Sequence, residues 1–213
     1  MKSCYLSLLV IALYSDSLAL AADITTPTSP AAKIDAIPAL TTSPMATTAS
    51  TTAAPLVAKL LPEIHATMLL PKDWTLLPGK LLEGDVLLAT REKISPESDP
   101  WTTGLSMSID SNGAKDSGQK ASVYARSLAQ EASEKAGEEA TPIKESEAGL
   151  LHEIRFDFPV AGDQPLLVTE VLKANDKTGT LAVILWQSSK EEAQKLHDLR
   201  EQVLAGIKLD PTQ

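Results

Sequence analysis

The chain has 213 residues, with 28 Asp and Glu against 19 Lys and Arg for a net charge of −9, and holds one Cys, three His, three Trp, three Tyr and two Phe. An acidic balance of this size repels phosphate backbones and anionic lipid, which argues against a nucleic-acid or membrane-surface role. Once a removable leader and a low-complexity stretch are set aside, about one average domain is left to bury a core.

The leader comes first in the chain. Lys2 is the only early charge, Leu6 to Tyr14 is apolar, and Leu18-Ala19-Leu20-Ala21-Ala22 supplies small residues at an A-x-A-like cleavage site. Cleavage is expected after Ala21. The run is shorter than the ~20 apolar residues of a spanning helix and is broken by Asp16, so a membrane anchor is the weaker reading. Cys4 precedes the apolar run rather than following it, so it leaves with the leader and the mature chain has no cysteine. An exported domain without disulfides is held by its core alone.

Asp23 to Leu56 contains nine Thr, eight Ala, five Pro and three Ser among 34 residues, with no aromatic and no Gly. Such a segment buries too little apolar area to offset its ordering entropy and is expected to be a disordered or partly polyproline tether. From Val57 the composition changes, and all ten Gly, three Trp and three His lie beyond it.

Strand signals open this domain. Ile64 to Leu70 is an apolar run ended by Pro71-Lys72-Asp73, and Val86, Leu88 and Thr90 alternate with their neighbours. Thr103, Leu105, Met107 and Ile109 point one way and Gly104, Ser106, Ser108 and Asp110 the other, which makes Ser106 and Ser108 the solvent face of a strand. Gln119 to Ala136 shifts to helical period, with Ala121, Tyr124, Leu128, Ala132 and Ala136 on one stripe and Gly137 as its stop. Leu150 to Phe158 alternates His152, Ile154, Phe156 and Phe158 against Glu153, Arg155 and Asp157, giving one buried and one wet face. Leu166 to Ala174 and Thr180 to Gln187 form a hairpin about Asn175-Asp176-Lys177-Thr178-Gly179. Leu181 to Trp186 is apolar on both faces and reads as a central strand. Ser189 with Glu192 forms a capping-box pattern for a last helix buried through Ala193, Leu196, Leu199, Val203 and Ile207.

This order resembles the PsbP family, which comprises the extrinsic photosystem II proteins, their bacterial relatives and the nuclear-transport Ran-binding protein that shares their fold. The matching residues are Leu70-Pro71-Lys72-Asp73-Trp74, Gly104-Leu105-Ser106-Met107-Ser108-Ile109, Tyr124-Ala125, the hairpin Leu166 to Gln187 and the ending Val203-Leu204-Ala205-Gly206-Ile207-Lys208-Leu209. The resemblance spans Ile64 to Leu209. It implies an α/β sandwich with an antiparallel sheet between helices, and members that act mostly as non-enzymatic binding or assembly modules; fold alone does not fix function.

No catalytic constellation is legible. G-x-S-x-G is missing, since Gly104-Leu105-Ser106-Met107-Ser108 lacks the second Gly. His65, His152 and His197 stand alone on three elements, and His152, on the apolar face of its strand, reads as a satisfied core residue. Asp110-Ser111-Asn112-Gly113 opens like a calcium loop, but Ala121 stands where the twelfth-position Glu belongs, so a polar turn is the better account. Glu191-Glu192 fits a helix start, where acids complement the dipole. Glu131, Glu134, Glu138, Glu139, Glu145 and Glu147 face only Lys135 and Lys144 over their span, which is a solvated surface or a patch for a basic partner.

The sequence thus supports a signal peptide (1–21), a Thr/Ala/Pro/Ser-rich tether (22–56) and one globular domain (57–213). The expected fold is an α/β (α+β) sandwich, with a central antiparallel sheet of about six strands and helices packed on its faces. The expected function is an exported, periplasmic or extracellular, non-enzymatic binding or assembly module. It is read as monomeric, without cofactor or metal, and partnered by another envelope protein. The alternative is a small envelope hydrolase whose carboxylate acid and base meet only on folding; a chaperone for an apolar segment would instead need an open apolar groove. Trp101 is the partner-binding candidate, because it follows the two-proline loop Ile94 to Pro100 and an indole is a favoured interface anchor; covering the sheet edge is its competing role.

Overall fold

The computed structural model describes residues 55–61, 66–81, 84–93, 101–162 and 164–209. The leader, the tether as far as residue 54, His65 and the loop 94–100 lie outside the described residues. Two antiparallel sheets carry the fold. The smaller is ordered β1-β2-β10, from β1 (Leu56–Leu61), β2 (Ala66–Pro71) and β10 (Lys208–Leu209). The larger is ordered β3-β4-β5-β9-β8-β7-β6, from β3 (Thr75–Leu81), β4 (Gly84–Thr90), β5 (Gly104–Asp110), β6 (Lys144–Ala148), β7 (Leu151–Val160), β8 (Leu166–Asn175) and β9 (Thr180–Ser189).

Three helices complete the described elements, together with one 3-10 turn, Gly137–Glu139: α1 (Gly113–Asp116), α2 (Ala121–Ala136) and α3 (His197–Ala205). The seven-stranded sheet is the middle layer. One face packs against α2, whose buried Ala121, Tyr124, Ala125, Leu128, Ala129 and Ala132 let the helix lie close over Ile154, Phe156 and Phe158 of β7 and Val168 and Leu172 of β8. The opposite face packs Leu105, Met107, Val171, Ile184 and Trp186 against Met68 and Leu70 of the small sheet and Val203 and Leu204 of α3. Trp74 stacks on Trp186 there, with ring centroids 5.4 Å apart. This is the expected α+β sandwich, an antiparallel sheet with helices on its faces, with the unexpected addition of a small second sheet that shares one face with α3.

Strand β9 is fourth of seven and buried along nearly its whole length, as its two apolar faces require. The hairpin turn is closed by Gly179, whose φ is 76° and whose N–H donates to the Asn175 carbonyl at 2.9 Å, while Asn175 Oδ1 accepts from the Lys177 N–H at 3.0 Å. Gly137 ends α2 with φ 77°, its N–H reaching back to the Ser133 and Glu134 carbonyls.

The larger sheet has more strands than expected because β3 and β6 carry no apolar alternation. Pro78 and Gly79 of β3 read as punctuation, and Lys144-Glu145-Ser146-Glu147 of β6 reads as a solvated run. Strand β1 starts at Leu56, the last residue of the segment read as tether. The capping pattern at Ser189 also places the last helix too early. Glu192 N–H does donate to Ser189 Oγ at 3.3 Å, but the Glu192 carboxylate is taken by Arg91, so half of the box forms, residues 190–196 are turns, and α3 starts at His197.

Two solvent faces are corrected. Ser106 and Ser108 are 9% and 8% exposed. Each small side chain sits in a row between larger ones, Ser106 between Leu88 of β4 and Leu185 of β9, and Ser108 between Val86 and Val183. On β7, Arg155 and Asp157 are half-buried rather than wet, because α3 lies over that face.

Candidate functional site

Three polar constellations stand out from the apolar layers. The first surrounds Trp101, just before the start of β5. The Arg91 N–H donates to the Thr103 carbonyl at 3.0 Å, and the Glu92 carboxylate accepts from Thr102 Oγ1 at 2.7 Å and from the Thr103 N–H at 3.1 Å. Gln187 Nε2, from the far end of β9, donates to the Trp101 carbonyl at 2.7 Å. Arg91 also makes a two-pronged pair with Glu192, at 3.1 and 2.8 Å, and that hydrogen bonding holds the Glu192 carboxyl below its ordinary range. The Trp101 carbonyl is therefore held from β9 and the two residues after it by Arg91 and Glu92, just past β4, while Trp101 itself is half-buried.

The second lies where the edge strand β6 meets the start of α2. A cavity of about 240 Å³ is lined by Ser122, Arg126, Glu145, Glu147, His152 and Ile154 among others. His152 is not a core residue. Its side chain is 30% exposed, with Nδ1 3.3 Å from Glu147 Oε1 and Nε2 3.7 Å from Asp176 Oδ2, because β7 is next to the sheet edge and its first residues run past the start of α2.

Asp176, on the β8–β9 turn, accepts the Ser122 N–H at 2.7 Å and the Ser122 hydroxyl at 2.9 Å and so caps α2 from a distant segment. Burial pushes the Asp176 carboxyl up, but the two Ser122 bonds and the charges of His152 and Lys120 hold it below its ordinary value. Arg126 and Glu145 close the rim as a pair at 2.8 and 2.6 Å. The Ser122 hydroxyl gives its proton to Asp176 and not to His152, so the order serine–carboxylate–histidine differs from that of a nucleophile–base–orienter relay.

The third ties α3 to the sheet, and the sequence reading missed it. Arg155 of β7 pairs with Glu201 at 2.7 and 2.6 Å. Arg200 Nη1 donates to Thr169 Oγ1 at 2.9 Å and lies 3.6 Å from Asp157 Oδ1, which in turn accepts from the Thr169 hydroxyl. Arg200 Nη2 is 3.0 Å from His197 Nδ1. Lys173, buried on β8, donates to the carbonyls of Leu204 and Ile207 at 3.2 Å each, capping the end of α3 where the helix dipole favours a cation, and sits 3.4 Å from Glu153. The available signal was the run Glu153, Arg155 and Asp157 on alternate positions of β7, with Lys173 in an apolar stretch of β8, none of which had a partner visible in sequence.

The acidic surface divides. Glu131 pairs with Lys135 one turn on, and Glu145 pairs with Arg126. A second cavity, of about 590 Å³, lies by the end of α2, with Glu138, Glu139 and Lys190 among apolar and small residues such as Pro159, Val160 and Pro165. The calcium-like loop is a turn: Asp110 Oδ1 accepts from the N–H groups of Asn112 at 2.9 Å and Gly113 at 2.6 Å, leading into α1. Among the described residues no group of three or more His, Cys, Asp or Glu side chains is placed to hold a metal ion, and no helix is long and apolar enough to cross a membrane.

No protein family and no curated protein matches this chain by sequence. Solved structures do match in shape. A cyanobacterial PsbP from Synechocystis sp. PCC 6803 is similar with a TM-score of 0.48 and 11% identity, over 79% of this chain and 100% of that one. The Ran-binding protein Mog1p of Saccharomyces cerevisiae gives 0.44 and 11%, over 75% and 98%. LpqN of Mycobacterium tuberculosis, described as involved in cell envelope biogenesis, gives 0.40 and 10%, over 75% and 86%. The first two are of the kinds named by the sequence resemblance.

Proposed function

We propose that this chain is an exported, non-enzymatic binding or assembly module of the cell envelope, with Trp101 as a contact for a protein partner. The observation that carries the reading is the anchoring of the chain at Trp101: Gln187 holds the Trp101 carbonyl, and Glu92 and Arg91 hold Thr102 and Thr103 directly after this half-buried residue. A rigid aromatic loses little conformational entropy on binding, which is what an interface anchor requires. Export rests on the leader, whose order of charge, apolar run and small residues is that of a secretory signal.

The test is affinity capture from envelope extract with the full chain and with Trp101→Ala. Binding to the captured partner should fall about tenfold or more, equal to ~1.4 kcal/mol, while the variant stays folded. Equal binding by the two proteins would reject Trp101 as the anchor.

The His152 cavity supports a second reading, a small hydrolase. A histidine with carboxylates 3.3 and 3.7 Å from its two ring nitrogens, beside a cavity, is an acid–base set of the kind that only folding assembles. Turnover of any ester, amide or glycoside substrate that is lost in His152→Ala but kept in Trp101→Ala would favour it.

A further inference from the structure

We infer that β1 is a dimer edge, on which two copies of this chain pair their β1 strands antiparallel about a two-fold axis at Ala58. The first argument is comparison with the other sheet edges among the described residues. An open edge invites pairing unless it is short, charged or interrupted by proline. Strand β6 carries Lys144, Glu145 and Glu147 within five residues, β3 contains Pro78, and β10 has two residues. Strand β1 is the least protected of the four: Leu56-Val57-Ala58-Lys59-Leu60-Leu61 is six residues long without proline and with Lys59 as its one charge, and Val57 and Leu60 are 37% and 74% exposed.

The second argument is which groups face outward. The Lys72 N–H donates to the Pro55 carbonyl at 3.3 Å, in line with the register Leu56↔Pro71. Antiparallel pairs alternate, so Val57, Lys59 and Leu61 direct their main chain at β2, while Leu56, Ala58 and Leu60 direct theirs at the open edge.

The third argument is that this row matches itself. A two-fold axis at Ala58 sets Ala58 against Ala58 of the second copy and Leu56 against Leu60 of the second copy, so that each of the outward-facing residues both donates and accepts. By register Leu56, Ala58 and Leu60 alternate onto the sheet face of Leu69 and Thr67, and Leu56 also packs against the core cluster, so each exposed Leu60 meets a half-buried Leu56 of the second copy as an apolar cross-strand pair. Lys59 then stands against Val57 of the second copy. Moving the axis to Lys59 would oppose two ammonium groups, which favours the Ala58 register over that one. A two-fold pairing of this kind closes on itself and stops at the dimer. The inference replaces the expected monomer and is independent of the Trp101 reading, because β1 belongs to the other sheet.

The experiment is sedimentation of the purified full chain over a concentration series, with Leu60→Glu beside it. A concentration-dependent dimer is expected, weakened at least tenfold in the variant, with an unchanged circular dichroism spectrum because Leu60 is exposed. In a Cys4→Ser background, Ala58→Cys should form a disulfide-linked dimer on mild oxidation, since facing Cα atoms lie about 5.5 Å apart in such a pair, within disulfide reach. Leu60→Cys should not, because its twin is displaced by about four residues along the strand, roughly 13 Å. A monomer at every concentration, equal cross-linking by the two cysteines, open-ended assembly, or a different protein bound in place of a second copy would each overturn the inference.

Discussion

Arg155 of β7 and Glu201 of α3, 46 residues apart in sequence, meet as a two-pronged ion pair at 2.7 and 2.6 Å. The pair fixes the last helix against a sheet face that its own sequence marks as wet. Hydrogen bonds from Arg155, opposed by burial and helped by the charges of Arg155 and Arg200, lower the Glu201 carboxyl from 4.5 to about 2.

A depressed carboxylate contributes stability that is present above its unfolded pKa and is lost as pH falls toward its folded one. For Glu201 that window runs from 4.5 down to about 2. Glu201→Gln should flatten the acid limb of a stability–pH curve in this window. The Glu201 side chain is 39% exposed, so solvent screening keeps the cost at neutral pH near ~1 kcal/mol. Urea titrations at a series of pH values check both statements; an acid limb identical to that of the parent would refute the first.

Asp176→Ala should loosen the first turn of α2. It removes the acceptor of the Ser122 N–H and hydroxyl, and loss of a helix cap costs on the order of 1 kcal/mol. Hydrogen exchange should then quicken in the first turn of α2 and leave β8 and β9 unchanged. Uniform quickening would point to global destabilisation instead.

Gly104→Ala tests a close backbone approach. A Cβ built at Gly104 would lie 2.3 Å from the Ala89 carbonyl oxygen on the neighbouring strand, and neither backbone can yield without disturbing the β4–β5 pairing. A loss of roughly 1–3 kcal/mol is expected from such overpacking. A variant as stable as the parent in chemical denaturation would show that these strands are more loosely joined.

Lys173→Met keeps the length of the side chain but removes the cation from the end of α3. The carbonyls of Leu204 and Ile207 lose their donor in a buried setting, so a loss of about 1–3 kcal/mol is expected. Lys173→Arg should recover part of it, since a guanidinium can still donate. Thermal melts of the three proteins give the order directly.

Local periodicity is written in consecutive residues, and it determined the elements that rest on it. The stripe of α2, the stop at Gly137, the β8–β9 turn and the two apolar faces of β9 all follow from spacing and from residue types that admit few backbone conformations. What covers a given face does not follow from spacing. Ser106 and Ser108 are buried because β4 and β9, distant in sequence, flank them with larger side chains. Arg155, Lys173 and Arg200 find their partners only once α3 folds onto the sheet, and His152 meets Glu147 and Asp176 only through β6 and a hairpin turn. A polar side chain reads the same in sequence whether it faces water or a partner, because its desolvation and the bond that offsets it depend on a second layer supplied by residues elsewhere in the chain.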